Sequence, residues 1–222
     1  MVVDSKGNLY FGNNNEWVIY KLDSNGKLIT KWGSPDSQDP NLILCTKDIA
    51  IDNKDNLYIL MPTCDLVVKK FTSDGKFIGG WGKYEGEEGK GPFFSSPESI
   101  ALDSEGFVYI AEEGKIRKFT SDGNLVKEFT LKNIDSQKDL VPSKLSFDKD
   151  GNLYVIDIAS HCIQKLNSGG AVIAQFGSSV EGEGETQLEG PWDIFVDDEG
   201  YIWLADIDRV LKLPPELLVK SK

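Results

Sequence analysis

Four charged residues recur at matching places along the chain and are its best candidates for chemistry: Asp48, Glu98, Lys144 and Asp193. Each stands at the entrance to a short apolar run, as in Asp48-Ile49-Ala50-Ile51 and Asp193-Ile194-Phe195-Val196. Brought to one mouth, Asp48, Glu98 and Asp193 could hold Ca²⁺, which takes about 6 to 8 oxygen ligands with water filling the gaps. Such an ion polarises a carbonyl or activates water. Lys144 in the same set could instead neutralise the carboxylates, leaving a plain ion-pair cluster or a ligand-binding rim.

Other chemistry has less to work with. His161 is the single histidine and stands in a turn, where a capping or surface role explains it. No Gly-x-Ser-x-Gly elbow and no Ser, His and Asp order suggests a nucleophile. Cys45, Cys64 and Cys162 are scattered, odd in number and without a CxxC pair, which reads as buried or spare thiols. The acidic stretches Glu85 to Gly89 and Glu181 to Glu185 read as loops between repeats.

The elements that must position these residues come from one repeated unit, clearest from Leu145 to Gly177. It holds four apolar runs, Leu145 to Phe147, Leu153 to Ile156, Cys162 to Leu166 and Ala171 to Phe176, each too short for a helix. That is a meander of four strands. Between the first two runs stands Asp148-Lys149-Asp150-Gly151-Asn152, in which Asp bonds its own backbone and Gly supplies the positive φ of a tight hairpin. The same turn begins at Asp4, Asp52, Asp103 and Asp197, and only Asp55 replaces its glycine. A lone carboxylate in each turn is too few ligands for calcium, so hairpin geometry accounts for them.

The turn aspartates lie 48, 51, 45 and 49 positions apart. A four-stranded unit at that period means a β-propeller blade, because one twisted sheet cannot bury both of its faces and must pack against the next. The fold class is therefore all-β, with five repeat units at approximately 1-44, 45-95, 96-141, 142-189 and 190-222. In a propeller the first strand of each blade lines the central channel, which puts the four charged entrances on one mouth. Fourth strands end in Trp32-Gly33, Trp81-Gly82, Phe129 and Phe176-Gly177, aromatics expected to wedge between neighbouring blades.

The ends differ from the middle. The first unit begins in mid-strand at Val2, and the fifth has Pro214-Pro215 in place of its last turn, leaving a short outer strand near Leu217 to Val219. Five units with ragged ends are read as a truncated or partial propeller, able to self-associate through exposed end blades.

With 24 Lys and Arg against 36 Asp and Glu, the net charge is −12. A nucleic-acid groove needs the opposite sign. No apolar run of about 18 residues is present, and acidic lipid would repel this surface. No linker or low-complexity break splits the 222 residues, so one domain is expected, and Met1-Val2-Val3-Asp4 shows no signal peptide, which leaves the compartment open.

The chain resembles the NHL-repeat family of β-propellers. The family's Pro-x-Gly-Ile-Ala-Val-Asp strand, Gly-Asn turn, aromatic-Val-Ala-Asp strand and Asn-His-Arg-Ile run are similar to Pro191 to Asp197 and Gly151 to Leu166, with His161 at the motif's histidine and Cys162 in place of its arginine. The resemblance covers all five units and implies the fold more than any function. It implies calcium-dependent lactonases and esterases among similar propellers, whereas the zinc and catalytic histidines of its amidating-lyase and streptogramin-lyase relatives have only His161 to draw on. The expected function is a non-catalytic binding scaffold that needs no cofactor and presents a loop face or channel mouth to a protein or small-molecule ligand, favouring a basic partner. The alternative is a calcium-dependent hydrolase of lactone or ester type.

Overall fold

A computed structural model of the protein describes residues 1–33, 43–62, 66–84, 92–112, 114–133, 137–177 and 188–217. Its elements are almost entirely strands. The first sheet is β1 (Val2–Val3), β2 (Leu9–Asn13), β3 (Val18–Leu22) and β4 (Leu28–Trp32), and the second is β5 (Asp48–Ile51), β6 (Leu57–Leu60), β7 (Val68–Phe71) and β8 (Phe77–Trp81). A two-stranded parallel pair follows, β9 (Lys83–Tyr84) with β10 (Phe93–Phe94). The third sheet is β11 (Ser99–Leu102), β12 (Val108–Glu112), β13 (Lys115–Phe119) and β14 (Leu125–Thr130). The fourth is β15 (Pro142–Phe147), β16 (Leu153–Asp157), β17 (Cys162–Leu166) and β18 (Val172–Phe176). The fifth holds β19 (Asp193–Val196), β20 (Ile202–Ala205) and β21 (Val210–Leu213), then a 3-10 turn at Pro215–Leu217.

All five large sheets keep sequence order from first strand to last, which makes each a meander and gives the β-propeller expected from the repeat. In the fifth, Leu217 closes the 3-10 turn rather than entering an outer strand, while Val219 lies outside the described residues. The acidic stretches at 85–89 and 181–185 and Cys64 also lie outside them.

The chain forms two compact units, Met1–Tyr109 with Lys118–Val126, and Ile110–Arg117 with Lys127–Lys222. In the first unit the core joins Tyr10 and Ile19 of one sheet to Ile49, Leu57, Ile59 and Phe71 of the next. In the second it joins Tyr154, Ile156 and Ile163 to Ile194, Val196, Ile202, Leu204 and Leu213. Each such side chain taken from water contributes about 1.5–3 kcal/mol, so neighbouring sheets depend on one another. Strand pairing alone leaves a single sheet marginal.

The fourth-strand aromatics do wedge between sheets. The Trp32 ring lies over the turn at Gly75, so close that a Cβ there would stand 2.5 Å from it. The Trp81 ring packs 4.9 Å from Phe119 and 6.1 Å from Phe94, and its indole N–H donates to Ser121 O at 3.3 Å. Phe129 covers the turn at Gly170, and Lys127 donates to Gly169 O at 2.8 Å.

Candidate functional site

The entrance residues are held at the starts of first strands by local hydrogen bonds. Asp48 begins β5, where its Oδ1 accepts from Ile49 N at 3.0 Å; its Oδ2 accepts from Ser99 Oγ at 2.6 Å and Ile100 N at 3.1 Å. The carboxylate thus clamps β5 to β11, the first strand of the next sheet. Glu98, one residue ahead of β11, pairs with Lys47 at 2.5 Å, and Ser96 Oγ donates to it at 3.3 Å. Two of the four entrance residues, Asp48 and Glu98, therefore lie at neighbouring strand entrances in one unit, each engaged with its own protein partners.

In the other unit Lys144 stands in β15 opposite Ile156, and exposed Asp193 begins β19 with its Oδ1 accepting from Ile194 N at 3.0 Å. Asp193 repeats the arrangement Asp48 makes with Ile49. An aspartate that folds back on the next amide satisfies the first N–H of its strand, a local use that any such entrance allows.

A second set of charged residues is more regular than the entrances. Each turn Asp accepts from amides two or four residues on: Asp4 from Lys6 and Asn8, Asp52 from Lys54 and Asn56, Asp103 from Glu105 and Phe107, Asp148 from Asp150 and Asn152, Asp197 from Tyr201. Asp55 takes the glycine's left-handed conformation at φ 61°. Six residues beyond each turn Asp is an aromatic, Tyr10, Tyr58, Tyr109, Tyr154 or Trp203, and over its ring lies the ammonium of Lys21, Lys70, Lys118, Lys165 or Lys212 at 4.5–5.2 Å. The lysine completes an ion pair with the turn in three sheets, Lys70–Asp52 at 3.5 Å, Lys118–Asp103 at 3.1 Å and Lys165–Asp148 at 3.2 Å. The six-residue spacing and the third-strand lysine are both visible in the sequence. Their convergence is not, because it needs the antiparallel register that sets Tyr154 opposite Lys165.

The electrostatics follow from this bracing. Burial would raise the Asp52 and Asp148 carboxyls, but Asn56 or Asn152, the turn amides and the facing lysine outweigh it and hold both below the usual carboxylate range. Burial works against the charge on Lys70 and Lys165 too, yet the tyrosine hydroxyl and the aspartate raise both above the ordinary lysine value. Partnered charges of this kind stabilise a hairpin; none is a free acid or base.

A third set closes the ends of second strands. Buried Asp157 accepts from Val141 N at 3.0 Å and Ala159 N at 3.2 Å, and Asp206 accepts from Gly190 N at 2.8 Å while Arg209 donates to it at 3.1 Å. Burial pushes the Asp206 carboxyl up, and the amides of Gly190 and Ile207 with Arg209 more than reverse it. Glu112 fills the corresponding place as a buried ion pair with Arg117. His161 sits in a turn at φ 49° and donates from Nδ1 to Leu188 O at 3.2 Å, which tethers the segment that leads into the fifth sheet. Among the described residues Cys45 is exposed and Cys162 buried, neither is in a disulfide, and no group of three or more His, Cys, Asp or Glu is placed to hold a metal ion.

No protein-family model matches the chain. NHL repeat-containing protein 3 of Mus musculus is 26% identical over 137 residues, which are 54% of this chain and 39% of that protein. The fold is an NHL-type β-propeller. Virginiamycin B lyase from Staphylococcus aureus, solved in a catalytically inactive form with quinupristin, matches it with a TM-score of 0.66 at 17% identity, covering 96% of this chain and 65% of that one. The nidogen/laminin complex matches with a TM-score of 0.63 at 18% identity, covering 98% of this chain and 79% of that one. This NHL-type propeller therefore spans about two fifths of the curated relative and just under two thirds of the lyase. Likeness at these identities concerns fold; a lyase and a laminin-bound protein share it. No helix among the described residues is long and apolar enough to cross a membrane.

Proposed function

We propose that this NHL-type propeller is a recognition scaffold, non-catalytic, which presents its loop face or the mouth formed by its first strands to a protein or small-molecule ligand. The observation that carries this reading is the engagement of Asp48 and Glu98: Ser99 and the Ile100 amide occupy one carboxylate and Lys47 the other. Carboxylates already held by protein donors shape a rim, and they are poor ligands for a cation until those bonds break. A net charge of −12 favours a basic partner, with association steered by charge and weakened by salt. The nidogen structure, solved with laminin, is an example of this fold in a protein complex.

The competing proposal is a calcium-dependent hydrolase of lactone or ester type with Asp48, Glu98 and Asp193 as ligands. Calorimetric calcium titration of metal-stripped protein, run beside a lactone and ester turnover assay, separates the two. The scaffold reading expects neither a tight stoichiometric site nor turnover. One site per chain, abolished in Glu98→Ala and in Asp193→Ala and accompanied by hydrolysis, would contradict it.

A further inference from the structure

In four of the five sheets, the face that carries the braced aromatic is closed. Tyr10, Tyr58, Tyr109 and Tyr154 are buried, and so are Ile19, Val68, Ile116 and Ile163, which stand two residues before the bracing lysine on the same face. The fifth sheet has the same register, with Trp203 opposite Phe195 and Lys212, and Val210 opposite Ala205. Yet Phe195 is 61% exposed, Val210 71% and Trp203 38%. An antiparallel sheet facing water on one side alternates apolar with polar residues. Phe195, Trp203 and Val210 instead keep the apolar pattern of a covered blade on the uncovered side, a patch of the kind that marks an interaction site.

The complementary face is also open, on the first sheet. Val3, Leu9 and Leu22 share one face by register, Val3 opposite Leu9 and Leu9 opposite Leu22, and Phe11 stacks on Tyr20 beside them at 5.3 Å. Their counterparts in the second sheet, Leu57, Ile59 and Phe71, and in the fifth, Val196, Ile202, Leu204 and Leu213, are buried. Val3 is 54% exposed, and Leu9, Phe11 and Leu22 are half-buried.

The structure already contains the junction these two faces build. Tyr10 and Ile19 pack on Leu57, Ile59 and Phe71, with Tyr10 Oη and Lys21 Nζ donating to Ser73 O at 3.3 and 3.0 Å. Tyr154, Ile156 and Ile163 pack on Ile194 through Leu213 in the same way. We propose that a second copy of this chain covers the open face of the fifth sheet with its own first sheet. Phe195 and Val210 of one copy then meet Val3, Leu9 and Phe11 of the next, and Lys212 donates to Ser24 O, the counterpart of Ser73 O. The contact is heterologous, since each copy contributes two different faces, and it propagates head to tail until it closes.

Sedimentation velocity on the intact chain, with Phe195→Glu and Val3→Glu variants checked for native circular dichroism, tests this. Both substitutions are at exposed positions, so the fold is kept. The wild type gains mass with concentration, each variant alone stays monomeric, and an equimolar mixture forms a dimer and stops, because one intact face remains on each partner. A wild type that stays monomeric at every concentration overturns the proposal. So does a Val3→Glu variant that dimerises alone, which would mean that the fifth sheet pairs with itself.

Discussion

The first three strands of the fourth and fifth sheets are built alike; among the described residues the fifth has no counterpart of β18, and the two sheets differ also in what covers them. Both have an aspartate turn, an aromatic six residues on and a lysine over its ring. Tyr154 is buried under the next sheet, whereas Trp203 keeps one face in solvent although its indole N–H donates to Asp197 at 2.8 Å. Strand order, register and turn chemistry are therefore written within each repeat, while burial is supplied by the neighbour.

The comparison is broken most strongly by removing the paired aromatics. Tyr154→Ala opens a cavity in a closed core and is expected to cost about 3–5 kcal/mol in urea unfolding. Trp203→Ala, read at a protein concentration too low for association, is expected to cost less, about 2 kcal/mol, for its hydrogen bond and the part of its ring that is covered. Equal losses would mean that the fifth sheet is covered in solution.

A smaller effect sharpens the role of the turns. Asp148→Asn removes the ion pair to Lys165 and weakens the bonds from the turn amides, for an expected loss of about 1–2 kcal/mol at neutral pH. Because the folded carboxyl lies below its ordinary value, its contribution is fully present above the unfolded value near about 3.9 and is lost as pH falls through the folded one. Stability of wild type and Asp148→Asn, measured by urea unfolding across acid pH, therefore converges as pH falls. A gap that stays constant would place the stabilisation outside the carboxylate's charge.

The repeat was legible in the sequence because its signals are local: an Asp and a Gly at fixed offsets, and apolar runs too short for helices. Asp55 at φ 61° and the wedged Trp32 and Trp81 follow the same logic. The bracing lysines were visible only as an alternation of apolar and basic residues, since their partners lie across a strand and a turn. The entrance residues read least directly. Asp48 and Glu98 lie at neighbouring strand entrances, yet what engages them is Ser99 and Lys47, each adjacent in sequence to a candidate and unremarkable by type. Which donors face a carboxylate depends on strand register and side-chain direction, and those are settled between elements.

Amide hydrogen exchange at low protein concentration tests most directly whether a neighbouring sheet, rather than strand pairing, sets the stability of each blade. The amides of Tyr154 to Ile156 in β16 and of Trp203 to Leu204 in β20 lie in central strands with ladder partners on both sides. The account predicts that β16 exchanges only through global opening and that β20 exchanges at least about tenfold faster, by opening of the fifth sheet alone. Equal protection of the two strands would contradict it.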